Sequence, residues 1–280
     1  MPSDTPEQIQ IVTSSLSVSV SRPKPKAIPL KIFVGFDSRE ADLSDVCAHS
    51  IRRRTQADVR FQYLNHRTLR KNGMFKRPWG IDAWNGEFRD LVDGKNFSTE
   101  FSHTRFLIPA LMNYEGWALF MDADMICLSD INKLFALRQD HYAAMCVQHK
   151  HHPKANVQKM DGRLQLQYTR KNWSSFVLWN CSHPANRILT PERVNTMAGG
   201  DLHAFKWLPD HEIGALPFTY NYISGVSPEI RDKETTKIDV LHYTEGGPWF
   251  RECPDVPFAE LWEREHLDWR DNGEARYETV

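Results

Sequence analysis

The sequence predicts an α/β fold: an open, mostly parallel twisted sheet flanked by helices, with a small antiparallel element near the site. Three observations predict it. Short apolar runs rich in strand formers alternate with stretches of helical period, beginning at Leu30-Lys-Ile-Phe-Val-Gly-Phe36. A continuous apolar run, Trp117-Ala-Leu-Phe-Met121, ends directly in acidic residues, as a buried strand does at the ligand-binding edge of such a sheet. The composition of the 280 residues is that of a packed protein, 41% hydrophobic and 25% charged.

Residues 1–29 read as a disordered or loosely attached tail. They are polar, serine-interrupted and rich in Pro and Lys toward the end. Their first charges are acidic and no continuous apolar core follows, so they do not read as a secretory signal. Residues 30–280 are expected to form a single domain. Leu30–Phe36 is the first strand, and Ser38 is placed to cap a helix whose Leu43, Val46, Cys47, Ser50 and Ile51 share one face. Val59–Leu64 alternates as a second strand, completing a β-α-β unit with a right-handed crossover.

From His66 to Asn96 the chain is polar and aromatic without clear period, which reads as a long irregular loop facing an acceptor. A helix is expected over Ser102–Tyr114, bent or displaced by Pro109, followed by the strand Trp117–Met121. A short helix over Ile131–Leu137 follows Asp130. Tyr142–Val147, Ser175–Trp179 and Ile238–Tyr243 are further strands. Thr190-Pro191-Glu192 opens a helix, and Phe258–Trp269 closes the fold with another.

The charge balance, 35 basic against 36 acidic residues, argues against a nucleic-acid binder. No apolar run approaches the roughly 20 residues that span a bilayer. Five cysteines without CxxC spacing argue for reduced, buried thiols rather than a disulfide framework or zinc site. A cytoplasmic location is expected, with peripheral membrane attachment left open.

The strongest chemical signal is Asp122-Ala-Asp124 after the central strand. Two carboxylates at i and i+2, at the carboxyl end of a strand, suit Mg²⁺ or Mn²⁺ bridging a diphosphate; alone, the pattern is also that of a solvated acidic turn. The second signal is His242-Tyr-Thr-Glu-Gly246-Gly247-Pro248-Trp249. A strand-terminal His adds an imidazole ligand, and Gly246 and Gly247 let backbone N–H groups approach a phosphate; a glycine turn beside a core histidine reads the same way.

Together these motifs resemble nucleotide-sugar glycosyltransferases of the Rossmann-like GT-A fold, and most of all the glycogenin and galactosyltransferase-like family 8. Phe33-Val-Gly-Phe-Asp37, Ser102-His-Thr-Arg105-Phe-Leu107, Asn172-Trp-Ser-Ser-Phe-Val-Leu-Trp-Asn180 and Asp210-His211-Glu212-Ile213 fall in the family's order, over residues 30 to about 250. Two departures mark a divergent branch: the late motif lacks its lysine before Pro-Trp, and the Asn-Ser-Gly strand is altered.

The resemblance implies transfer of a sugar from a nucleoside-diphosphate donor, a UDP-sugar foremost, to an acceptor hydroxyl with retention of configuration. It implies a metal held by Asp122, Asp124 and His242, with Asp122 also near the ribose. Phe36 and Asp37 are expected at the nucleotide base. Arg105, Lys171, Ser174, Gly246 and Gly247 are expected on the donor, and Asp210, His211 and Glu212 at the reacting sugar or acceptor. Mn²⁺ or Mg²⁺ is the expected cofactor. A glycan, lipid-linked or protein acceptor stays open, as does the oligomeric state. Competing readings are a nucleotidyltransferase or pyrophosphorylase using the same aspartates, poorly matched by Gly35-Phe-Asp-Ser-Arg39, and a decayed carbohydrate-binding protein. His149, His151 and His152 read as a solvated loop, and Arg52-Arg53-Arg54 as an exposed helix end.

Overall fold

The structure, a computed structural model, describes residues 29–84, 86–149, 170, 172–227, 237–253, 255–273 and 280. Residues 1–28 of the expected tail, Lys171, His151 and His152 lie outside the described residues.

The chain opens with strand β1 (Leu30–Gly35), helix α1 (Ala41–Arg52), strand β2 (Val59–Leu64) and helix α2 (His66–Lys71). Three short strands follow, β3 (Trp79–Ile81), β4 (Phe88–Asp90) and β5 (Asn96–Phe97). A 3-10 turn over Thr104–Leu107 leads into α3 (Ile108–Leu111), then β6 (Trp117–Met121), β7 (Met125–Cys127), α4 (Asn132–Phe135) and β8 (Ala144–Cys146). After β9 (Phe176–Asn180) come α5 (Pro191–Thr196), α6 (Gly199–His203), β10 (Ile213–Ala215), β11 (Tyr222–Ile223), β12 (Val240–His242) and α7 (Ala259–Asn272).

The main sheet has six strands in the order β10-β8-β9-β6-β1-β2. All run in one direction except β9, which is antiparallel to both neighbours. Its mixed α/β build with a mostly parallel centre is the expected architecture. Strands β1 and β6 are near-continuous apolar runs because both sheet faces are covered. Phe33, Phe106, Phe120, Val177 and Trp179 pack on one face, and Ile32, Val34, Leu119, Met121 and Leu178 on the other. A small second sheet, β11-β12-β7, contains the antiparallel pair β12–β7 beside the end of β6.

Several local expectations are corrected. Ser38 does not cap α1; its N–H and hydroxyl both donate to Glu100. Residues 66–96 are not one irregular loop: they form α2 and the antiparallel β3-β4-β5 sheet. That sheet is anchored by the fully buried Arg77, which pairs with Asp90 and donates to the Val194 and Met197 carbonyls. Pro109 displaces rather than bends the helix over 102–114. Only α3 is regular, and left-handed Asn113 and Tyr114 (φ 52° and 57°) end it. Of the arginine triplet, Arg54 is mostly covered, because it and Arg53 pair with the fully buried Glu265 of α7. His49 meets Asp268 of α7 at 2.7 Å, so α1 is sandwiched rather than exposed on one side. All five cysteines are free and buried, as expected.

Candidate active site

The turn from β6 into β7 is held at both ends. The Asp122 N–H donates to the Ser175 carbonyl (2.9 Å), and the Tyr243 N–H to the Asp124 carbonyl (3.0 Å). His242 is the last residue of β12 and faces Met125, the first residue of β7. Register alone therefore places the imidazole over the two aspartates. One ligand atom each from Asp122, Asp124 and His242 lies within 4.8 Å of the other two. His242 Nε2 stands 3.3 Å from Asp124 Oδ1. The His242 side chain is fully buried and its Nε2 makes no hydrogen bond among the described residues.

Two carboxylates and one imidazole make a mixed oxygen–nitrogen set with excess negative charge. That set fits a divalent ion such as Mn²⁺ or Mg²⁺. A buried imidazole nitrogen aimed at a carboxylate, without a hydrogen bond of its own, fits the same group.

Arg105 closes one side of the triad. Its guanidinium pairs with Asp122 Oδ1 at 2.8 Å, donates to the Ser174 carbonyl at 2.9 Å, and lies over the Phe120 ring. The side chain is buried, so its first partner is Asp122. Ser174 is buried as well, and its hydroxyl meets His203 Nδ1 at 2.7 Å. The pKa values of both His103 and His203 are pushed well below the usual range. Burial is the main cause; Arg77 and Arg105 add to it for each, and His203 adds to it for His103. Both rings are therefore neutral near pH 7.

Phe36 and Asp37 follow directly on the first strand. Phe36 is buried against Tyr63, with ring centroids 6.1 Å apart. The Asp37 carboxylate accepts from the Arg39 N–H, the Arg39 guanidinium and the Glu100 N–H. These donors occupy a side chain that is only 2% exposed, so Asp37 cannot meet a base N–H without losing one. The same carboxylate braces Arg39 and the backbone at residue 100.

The Gly246–Gly247 turn follows His242 closely. Gly246 has φ +118°, a conformation that L side chains rarely adopt. A Cβ on Gly247 would sit 2.0 Å from the Trp249 ring, so packing already requires glycine there.

Asp210, His211 and Glu212 are not brought to the triad. Ile213 is level with Ala144, which pairs with Trp179, which in turn pairs with Ala118. Asp122 is four residues beyond Ala118, about 13 Å along the strand at ~3.3 Å per residue. Asp210 is largely exposed and pairs with Arg170. The segment beside Ser174 is instead α6, through His203.

His103, His203 and Asn221 were not singled out in the sequence. His103 sits inside the quoted Ser102–Leu107 motif, while His203 and Asn221 carried no local signal. His149, expected in a solvated loop, is mostly covered, and burial with help from His242 lowers its pKa to about 4.

The model of the family described as "Glycosyl transferase family 8" matches residues 85–253. A curated relative, "Protein CDI" of Arabidopsis thaliana, is 46% identical over 234 residues, covering 84% of this chain and 85% of the relative. Among solved structures, the bifunctional glycosyltransferase WbbM aligns with a TM-score of 0.56 at 15% identity, over 90% of this chain and 52% of that one. The glycosyltransferase GlyE of Streptococcus pneumoniae gives 0.54 at 16% identity, over 86% of this chain and 62% of that one. An active-site mutant of LgtC gives 0.51 at 13% identity, over 86% of this chain and 99% of that one. This chain thus spans about half of WbbM and under two thirds of GlyE, and at these identities the likeness establishes the fold. No helix among the described residues is long and apolar enough to cross a membrane. With the family model matching most of the chain and a relative of such identity, the chain belongs to glycosyl transferase family 8 and is a nucleotide-sugar glycosyltransferase of the GT-A fold.

Proposed function

We propose that the chain moves a sugar from a UDP-sugar to an acceptor hydroxyl, using a divalent metal, with retention of anomeric configuration. The observation that carries this reading is the convergence of Asp122, Asp124 and His242 at the carboxyl end of β6. Mn²⁺ or Mg²⁺ held by these three would neutralise charge on the leaving diphosphate.

The chain's own residues prepare that site. Asp122 and Asp124 repel each other, and Arg105 offsets one charge from a position too buried to swing away. Ser174, with neutral His203 behind it, supplies hydrogen-bonding groups that carry no charge, which suits sugar hydroxyls. The Gly246–Gly247 turn offers backbone close to His242 on the diphosphate side. Phe36 and Asp37 follow β1, which pairs directly with β6, and so form the nucleoside end, with Asp37 acting through Arg39. Lys171 lies outside the described residues and remains an expected diphosphate contact. Asp210, His211 and Glu212 are left out of the reacting centre because of their place along the sheet. Retention rests on the family resemblance and on no residue of the triad.

The test is UDP release from a panel of UDP-sugars, with Mn²⁺ and with EDTA. Metal-dependent release with at least one sugar is expected. Absence of turnover with every sugar nucleotide in Mn²⁺ would sink the reading. NMR of the product reports the anomer, and a β product from an α donor would refute retention.

A further inference from the structure

The His242 imidazole is wired from behind. Its Nδ1 lies 2.8 Å from Asn221 Oδ1. Asn221 Nδ2 donates to Ser175 Oγ at 3.0 Å, and Ser175 Oγ donates to the Asn172 carbonyl at 2.8 Å. His242 and Asn221 are 0% exposed and Ser175 5%, so bulk water cannot substitute for any link.

Each link has only one possible polarity. A backbone carbonyl cannot donate, so the single Ser175 hydroxyl proton is spent on Asn172. Ser175 Oγ must then accept from Asn221, which fixes the amide nitrogen toward Ser175 and the amide oxygen toward His242. That oxygen cannot donate either, so the proton must sit on His242 Nδ1. His242 Nε2, the other ring nitrogen, faces Asp124 Oδ1 3.3 Å away. A divalent ion held by Asp122, Asp124 and His242 would take the place of any proton between that nitrogen and the carboxylate.

We infer that Asn221 and Ser175 are positioning residues that lock His242 in the Nδ1–H tautomer and so keep Nε2 ready as a metal ligand. The inference rests on the proposed metal role of Asp122, Asp124 and His242. It concerns residues from separate parts of the chain: Asn221 precedes β11, Ser175 precedes β9, and His242 ends β12. The relay also ties the strand entering from β9 to the ligand on the second sheet. Ligand orientation and the start of β9 are thus set by one chain of hydrogen bonds. Partners behind a metal-binding imidazole typically tune metal affinity by about 10- to 100-fold.

The experiment has two independent readouts. In metal-free protein carrying ¹⁵N-histidine, long-range ¹H–¹⁵N NMR reports the His242 tautomer, with its signals assigned by their loss in His242→Gln. A proton on Nδ1 is expected; a ring protonated at Nε2 alone overturns the inference whatever the metal does. Mn²⁺ affinity is then measured by electron paramagnetic resonance on wild type, Asn221→Leu, Ser175→Ala and Asn221→Asp. Asn221→Leu removes the acceptor, and Ser175→Ala frees the amide to turn; both are expected to bind Mn²⁺ about 10- to 100-fold more weakly. Asn221→Asp keeps an acceptor toward Nδ1 and is expected to retain affinity. Unchanged affinity in both Asn221→Leu and Ser175→Ala overturns the inference. Should Asn221→Leu not fold, Ser175→Ala against Asn221→Asp gives the same comparison. If wild type itself binds no Mn²⁺, the metal reading fails, and the tautomer of the metal-free protein still decides the relay.

Discussion

Replacing Arg105 by Met keeps much of the side chain's bulk and removes its charge. In the native protein that side chain is about 6% exposed, and its guanidinium pairs with Asp122 at 2.8 Å and stacks over Phe101 and Phe120. Removing one partner of a buried ion pair costs about 3–5 kcal/mol when the other charge is stranded. Asp122 is 15% exposed, so hydration recovers part of that. A loss of roughly 2–3 kcal/mol is therefore expected for the metal-free protein. For a domain of this size each kcal/mol is worth about 2–4 °C, which gives a fall of roughly 4–12 °C in Tm. Saturating Mn²⁺ supplies the missing positive charge, so the deficit should shrink in its presence. The assay is a thermal melt of wild type and Arg105→Met, each with EDTA and with Mn²⁺. A drop under 2 °C in EDTA, or a deficit that grows with Mn²⁺, would refute the reasoning.

Other outcomes follow from single contacts. Gly247→Ala places a methyl 2.0 Å from the Trp249 ring, itself packed on Trp262, and should cost about 1–3 kcal/mol by overpacking in urea titration. Glu265→Ala takes the buried carboxylate from Arg54, while the more exposed Arg53 keeps Asp268, and should cost about 2 kcal/mol, read by chemical denaturation. Burial raises the pKa of Glu100, but hydrogen bonds from His66 and Ser38 outweigh it and hold the carboxyl at about 2. Its folded pKa lies below its unfolded value, so its stabilisation is present above about pH 4.5 and lost as pH falls toward 2. Glu100→Gln should flatten that limb of the stability–pH curve. His103 and His203 are held neutral when folded but charge when unfolded, so stability should fall as pH drops below about 6.5. His103→Gln should weaken that slope in denaturation curves taken at successive pH values.

The central sheet was legible because its strands carry their own signal. Leu30–Gly35 and Trp117–Met121 are apolar on both faces, and the second runs straight into Asp122 and Asp124. His242 was legible because a strand ends on it. What escaped were elements defined by partners far along the chain. The β3-β4-β5 sheet has strands of two or three residues and is anchored by Arg77 reaching Asp90, Val194 and Met197. No local period betrays such a unit. Asp210–Glu212 stood out because three polar residues precede an apolar run; that β10 enters the sheet level with the start of β6 was not readable from the sequence. Asp37 was the reverse case: Arg39 lies only two residues away, and their pairing was readable from local charge alone. The Asn221–Ser175–His242 relay joins residues 46 and 21 positions apart, beyond any spacing rule.

The measurement that bears most directly on the account is the thermal stability of wild type and Asp124→Ala with UDP, GDP, ADP and CMP, each with and without Mn²⁺. Ligand that binds the native state raises Tm by linkage, by about 2.7 kcal/mol at a hundredfold excess over Kd. A rise with UDP that requires Mn²⁺ and disappears in Asp124→Ala is expected. A rise with UDP that is equal without metal, or that survives in Asp124→Ala, would contradict a diphosphate site built on Asp122, Asp124 and His242.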